Sequence, residues 1–469
     1  MRAGERWTLL AILAVGTGLR FWHLGVHGFT ADEIYSLNVA RMPLAQAASQ
    51  ADQTPPLFVL VEHFWILAAG TSEAAVRTLP AILGILAIPA AWWIARRFAG
   101  IGPALAAAAL VAVHPQFVEQ SQDARTYSLL TLLSTLSFCA MVRLPSGGRR
   151  TTLGYVAAST LLVYTHVFGW FVLIAQNAAW WWMGRPTSAR RWLGLQATVV
   201  AAATPWLVVL AARIGYVGQG FWIGPPSLHL ARETASRLGG GPVALAAACV
   251  VLAAIAWSFR GNWAGLVRWT RPVRLLACWL SVPFFLPLGI SFLEPIFTPR
   301  YVAFVIVPAV ILLAWGLWRL RPAGRAVALV ALLAAGALAA PSVGILPTWT
   351  FHQEWPPAVA HVDALAHPGD AVVMYPGLCG YVGQELSCPW SVYGNRSDLV
   401  FVAAGDPARR WTAQDTPQLE APLAGHDRVW LVQATDSVPG PLIQDWLASL
   451  YANETRSEFP GITVVFYTR

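Results

Sequence analysis

The chain is 469 residues long, 57% hydrophobic and only 12% charged, with a mean hydropathy of +0.54; this excludes a soluble globular enzyme and fits a polytopic membrane protein. Every basic residue is an arginine, and the formal charge of +8 sits mostly in short loops between apolar runs. It is therefore no nucleic-acid footprint, and membrane lipids are the surroundings such a chain implies.

A helix needs about 20 apolar residues to cross the hydrocarbon core. Eleven such segments are predicted, at 8–26, 78–95, 101–117, 126–142, 152–166, 168–183, 192–212, 241–259, 275–292, 301–318 and 326–346. The opening "MRAGER" before the first of them reads as the flank of a membrane anchor, since no cleavage site of small residues is evident. The fifth and sixth segments abut at "YTHVFGW". Charges near the bilayer midplane, broken helices and inverted repeats, the marks of a transporter, are not evident.

Alternate loops, counted from the N-terminus, hold seventeen arginines and a single acid, Glu5. By the positive-inside tendency these loops are cytoplasmic. The other acids before residue 346, namely Asp32, Glu33, Asp52, Glu62, Glu73, Glu119, Asp123, Glu233 and Glu294, then all fall outside, and the topology is N-inside and C-outside.

The first outer loop, 27–77, begins with "GFTADEIYSLNVAR". Thr30 precedes Glu33 by three, the capping-box spacing, so Glu33 has a local partner while Asp32 is left to face the membrane surface. The apolar stretch Leu57–Ala69 in "TPPLFVLVEHFWILAAG" is too short to span and predicts a re-entrant or interfacial helix opened by Pro55 and Pro56. Glu62 and His63 on it face either a cavity or the interface. Further along, Asp123 and Arg125 form a second acid–base pair at the mouth of the fourth segment, either at a substrate or as a salt bridge fixing a helix end. Tyr164, Thr165 and His166 stand where a segment emerges outside, in contact with substrate or in an interfacial belt. Arg300 immediately precedes the tenth segment.

The tail, 347–469, carries thirteen of the 23 acids and reads as a small extracytoplasmic α/β domain. "DAVVMY", "DLVFVA", "DRVWLV" and "ITVVFY" have strand composition, and "PPAVAHVDALA" and "PLIQDWLASLYA" have helical periodicity. Cys139, Cys249 and Cys278 lie in apolar segments. Cys379 and Cys388 lie in the tail, where they form either a disulfide or a pair of buried thiols.

Six stretches in one order, "FTADEIYSLNVAR", "DQTPPLFVLVEHFW", "SEAAVRTLPAILGILAIPAAWWIARRFAG", "HPQFVEQSQDARTYSLLTLLS", "YTHVFGWFVLIAQ" and "TPRYVAFVIVP", resemble the GT-C-fold membrane glycosyltransferases. The likeness is to family 39, the bacterial relatives of protein O-mannosyltransferases and aminoarabinose transferases. It covers residues 8 to about 320. It implies an α-helical GT-C membrane protein of the bacterial plasma membrane that takes a polyprenyl-phosphate-linked sugar and transfers it outside with inversion. Carried over, it makes Asp32 the general base and Glu33 a second acid, and it places Arg125 with Tyr127, and Arg300 with Tyr301, on the family's polar motifs. Thr54 departs from the family's His or Lys, and Asp52 is positioned to supply charge there. Asp52, Asp123, Tyr127, His63 and His166 are the candidate substrate contacts, and Arg300, Tyr301 and Arg125 the candidate phosphate contacts.

That chemistry wants a base for the acceptor hydroxyl and positive charge for the leaving phosphate, which Asp32 and the arginines supply near headgroup depth. No cofactor is required. A divalent cation bridging Asp32, Asp52 and phosphate is optional. The acceptor is a lipid, glycan or protein hydroxyl. The competing expectations are a lipid-linked-sugar transporter or flippase, and a non-catalytic envelope subunit.

Overall fold

The computed structural model describes residues 3–50, 55–217, 223–258, 270–339, 353–375, 379, 387–404, 417–434 and 441–469. Asp52 and Thr54 lie outside these residues. Each expected membrane segment falls on a helix: α1 (Ala3–Phe21), α5 (Glu73–Ala99), α6 (Ile101–Val113), α8 (Tyr127–Arg143), α9 (Arg149–Thr165), α10 (Gly169–Trp182), α11 (Ala189–Val217), α13 (Pro242–Ser258), α14 (Arg271–Ile290), α15 (Pro299–Leu317) and α16 (Pro322–Leu338). Among the described residues four of these, α5, α11, α14 and α15, are long and apolar enough to cross a membrane unaided, and bent pairs raise the number to six. This strict number is below the expected eleven for a physical reason. Helices α8, α9 and α16 hold 17 residues and α10 holds 14, so at about 1.5 Å per residue they fall short of a core about 30 Å thick. Helix α1 carries Glu5, Arg6 and Arg20 within its 19 residues.

The expectation of unbroken, uncharged spans is corrected at two bends and one buried cation. Helix α6 meets α7 (Pro115–Ser121) at 56°, and α12 (Leu228–Gly239) meets α13 at 75°. Pro115 has no N–H to offer the Val111 carbonyl, so the break strands acceptors in the apolar interior. Arg20 supplies donors instead. Its guanidinium donates to the carbonyls of Val111 (3.3 Å), Ala112 (2.8 Å) and Gly16 (3.0 Å), and its Nε donates to the Ser121 hydroxyl at 3.1 Å. A Cβ at Gly84 would collide with Ser121 and crowd Arg20, so glycine there makes room for this cation.

The first outer loop holds three helices, α2 (Ala31–Arg41), α3 (Leu44–Gln50) and α4 (Leu57–Ala69), the last of them the expected short apolar one. The expected capping box is present at the start of α2. The Glu33 amide donates to the Thr30 hydroxyl (3.3 Å) and the Thr30 amide to Glu33 (2.9 Å).

The tail folds as a five-stranded sheet in the order β2-β1-β3-β5-β4, from β1 (Ala371–Tyr375), β2 (Val400–Ala403), β3 (Arg428–Ala434), β4 (Asn453–Phe459) and β5 (Ile462–Thr468). Strands β1, β2 and β3 are parallel, and β5 pairs antiparallel with both β3 and β4. Strand β4, "NETRSEF", is not among the sequence-predicted strands. It is an edge strand whose side chains are mostly exposed, so its charges protect an open edge and hide its strand character. Helices α17 (Trp355–Leu365) and α20 (Pro441–Leu450) match the expected pair, while the short α18 (Trp390–Tyr393) and α19 (Pro417–Leu423) add to them. Cys379 and Cys388 form a disulfide, which resolves the alternatives left by the sequence. One apolar cluster joins the tail to the first outer loop, packing Phe29, Ile34 and Leu37 with Trp355, Val359 and Trp390.

Candidate active site

Asp32 is the second residue of α2, where unpaired backbone N–H groups favour a carboxylate. Its side chain is 53% exposed, and its Oδ2 accepts a hydrogen bond from Arg300 Nη1 at 3.1 Å. Arg300 reaches it from the first turn of α15, which Pro299 opens. Arg125 lies alongside, donating from Nη1 to the Asp32 carbonyl (3.1 Å) and to the Ser36 hydroxyl (2.8 Å). Desolvation by the surrounding protein would raise the Asp32 pKa, but the Arg125 and Arg300 charges outweigh it and hold the carboxyl below the usual range.

Aromatic rings form one wall. Tyr127 stacks on Tyr301 with centroids 6.0 Å apart, and the His166 ring meets Tyr301 edge-on at 4.7 Å. Phe168 closes the group at 5.4 Å from Tyr301, and its amide donates to His166 Nδ1 at 3.1 Å. Helix α7 supports Arg300 from behind, with Gln120 donating to the Arg300 carbonyl at 3.0 Å. The fold thus assembles Asp32, Arg125, Tyr127, His166, Arg300 and Tyr301 from four distant parts of the chain.

Glu33 points elsewhere. It is buried, and each of its carboxylate oxygens accepts two hydrogen bonds: Oε1 from Arg77 Nε (2.8 Å) and the Ala124 amide (2.9 Å), Oε2 from Arg77 Nη2 (2.7 Å) and the Thr30 amide (2.9 Å). Desolvation would raise its pKa, but Arg77 and these amides hold it down as a carboxylate. These partners make it an anchor, not the second acid in the cleft that the resemblance implied.

Asp123 is not ion-paired with Arg125; the link between them is a 2.6 Å hydrogen bond from the Arg125 amide to the Asp123 carbonyl. The salt bridge expected as the bland alternative is therefore absent, because Arg125 turns toward α2. Burial, with the Glu33 charge added, pushes the Asp123 carboxyl up to about 8 against the pull of Arg125 and Arg300. His63 is not brought to this group either. Its Nδ1 contacts the Ala40 carbonyl at 2.7 Å, near the far end of α2. The neighbouring Glu62 is fully buried with neither carboxylate oxygen hydrogen-bonded. Burial raises its pKa well above the usual carboxylate range against the pull of the Arg125 charge, and the Glu33 and Asp123 charges add to the rise.

Among the described residues no group of three His, Cys, Asp or Glu side chains could hold a metal ion. Two guanidiniums flanking Asp32 repel a cation and suit an anion, so the described part of the site does not fit a divalent metal.

Residues 51–153 match the family model for dolichyl-phosphate-mannose-protein mannosyltransferases. The comparison with curated proteins finds no match. Among solved structures, the fold is similar to apo ArnT from Cupriavidus metallidurans, with a TM-score of 0.65 at 13% identity, over 99% of this chain and 98% of that one. The same protein bound to undecaprenyl phosphate is matched at a TM-score of 0.62 and 13% identity, with the same coverage. The mycobacterial arabinofuranosyltransferase AftD is matched at a TM-score of 0.58 and 18% identity, over 100% of this chain and 40% of its own length. An oligosaccharyltransferase from Archaeoglobus fulgidus follows at 0.54 and 13%, over 97% and 72%. The chain is a multi-pass membrane protein of the GT-C fold, as its resemblance to family 39 implied.

Proposed function

We propose that this protein is an inverting glycosyltransferase that uses a polyprenyl-phosphate-linked sugar, with Asp32 as general base. The observation that carries the reading is the contact between the Asp32 carboxylate and Arg300, open to the cleft and flanked by Arg125. Two guanidiniums suit the phosphate, whose charge grows as the glycosidic bond breaks. The contact also suggests how the base is switched on. In the absence of donor, Arg300 holds Asp32 in its weakly basic form; a phosphate that takes over Arg300 removes that charge from the carboxylate, and Asp32 becomes a better acceptor for the hydroxyl proton. The deprotonated oxygen then attacks the anomeric carbon opposite the phosphate, and Asp32 keeps the proton while the polyprenyl phosphate leaves. Tyr127, Tyr301 and His166 line the cleft for sugar or lipid phosphate.

In this reading the first outer loop and the tail lie on the extracytoplasmic side of a bacterial plasma membrane, where the acids collect. A transporter would explain Arg20 as a pathway charge, but its bonds to backbone carbonyls already account for it. The test is transfer of labelled sugar to membrane acceptors from undecaprenyl-phosphate-linked mannose, arabinose, galactose and glucose. Consumption of one donor supports the reading, and consumption of none removes the proposed donor class.

A further inference from the structure

The segment His27–Gly28–Phe29, just before the cap of α2, is gripped from two sides. From the membrane module, Arg77 donates to the carbonyls of Leu24 (3.3 Å), His27 (2.7 Å) and Gly28 (2.8 Å). From the tail, Glu354 accepts the Gly28 amide at 3.4 Å and contacts His27 Nδ1 at 2.6 Å. The Tyr393 hydroxyl accepts the Phe29 amide at 2.6 Å and donates to Glu73 on α5 at 2.9 Å. Its ring lies beside Phe29 with centroids 6.4 Å apart, and Arg77 covers Phe29 at 5.4 Å. About two turns into α2, Asn38 donates to Ser391 at 2.7 Å. The His27 and Gly28 carbonyls of this segment are thus taken by the membrane module, and its Gly28 and Phe29 amides by the tail. A Cβ on Gly28 would meet Pro356 at 2.6 Å, so glycine is what lets the tail come this close.

We infer that the tail domain completes the active site: Tyr393, assisted by Glu354, is a positioning residue that fixes the entry into α2 and thereby the place of Asp32 opposite Arg300. The inference deepens the proposed function and rests on Asp32 acting as the base. A bond network of this kind removes freedom from a segment only three residues from the reacting carboxylate, and a displacement of about 1 Å at such a group costs up to roughly a hundredfold in rate. The disulfide supports the same device, since Cys388 closes it just before α18, the helix that carries Ser391 and Tyr393.

The test uses the full chain in lipid nanodiscs, comparing wild type with Tyr393→Phe, which keeps the ring and loses both hydroxyl bonds, and with Glu354→Gln. Amide hydrogen exchange is read at Phe29 to Asp32 and, as an internal control, at Leu37 to Ala40. Tyr393→Phe is expected to speed exchange at the first group about tenfold and leave the second unchanged. It is also expected to lower kcat about tenfold per folded molecule, with KM for the donor unchanged. Should Tyr393→Phe fail to fold, Glu354→Gln is expected to show the same pattern more weakly. Unchanged exchange at Phe29 to Asp32 in the folded variants, or faster exchange with full kcat, overturns the inference. The base assignment fails separately: Asp32→Asn with wild-type activity rejects the base while the exchange result still decides whether the tail holds the segment.

Discussion

Asp32 and Glu33 are neighbours in the chain, yet they belong to two regions built on opposite terms. The anchor beneath α2 is closed. Glu33 and Arg77 are buried, and both carboxylate oxygens are satisfied by charge-assisted and backbone donors. The cleft above it is open, since Asp32 is half exposed and one 3.1 Å hydrogen bond from Arg300 holds its carboxylate. A saturated ion pair cannot exchange partners without a large penalty, whereas a half-exposed pair of this kind is worth little and can be replaced by a substrate. The difference separates the acid that holds the loop from the one that the proposed function uses as its base.

Substitutions that break this contrast are ranked by their expected effect. Glu33→Gln or Arg77→Met leaves one buried charge without its partner, and a loss of about 3–5 kcal/mol of stability is expected, read as a collapse of folded yield or melting temperature in detergent. Arg300→Lys keeps the charge but loses the planar fork, so undecaprenyl phosphate binding is expected to weaken about tenfold with melting little changed. Equal binding by the Lys variant would mean that Arg300 acts only as a point charge. At Asp123 the expected effect is a changed pH dependence. Its folded pKa is raised to about 8, so the folded state binds the extra proton between the usual carboxylate range and about 8, and stability falls as pH rises through that window. Ionised Asp123 would also compete with phosphate for Arg125 and Arg300. Asp123→Asn should therefore flatten the stability decline toward pH 8 and remove an alkaline fall in donor binding; an unaltered pH dependence would show that the proton is not held there.

How much of this was legible in the sequence depends on the reach of each interaction. The capping box is local, so the spacing of Thr30 and Glu33 revealed it. Asp32, Arg125, Tyr127, Arg300 and Tyr301, which the fold brings together, could be singled out because ordered motifs carry them at the ends of apolar segments. Arg77 was not found as the partner of Glu33, because 44 residues separate them and no local signal links them. Arg20 looked like part of an apolar run, and its role becomes visible only with the carbonyls of the α6–α7 break beside it. Glu62 and His63 are adjacent on α4, and composition could not tell which of them turns inward toward the acids. The grip of Tyr393 on Phe29 crosses 364 residues and joins two units that the sequence separates.

The most direct measurement of the central claim is the rate of sugar transfer from the consumed undecaprenyl-phosphate donor by folded Asp32→Asn, set beside wild type under saturating donor. A general base contributes roughly 10²–10⁴-fold, so the account predicts a loss of that size with undecaprenyl phosphate binding and melting retained. Transfer by Asp32→Asn at the wild-type rate would contradict it.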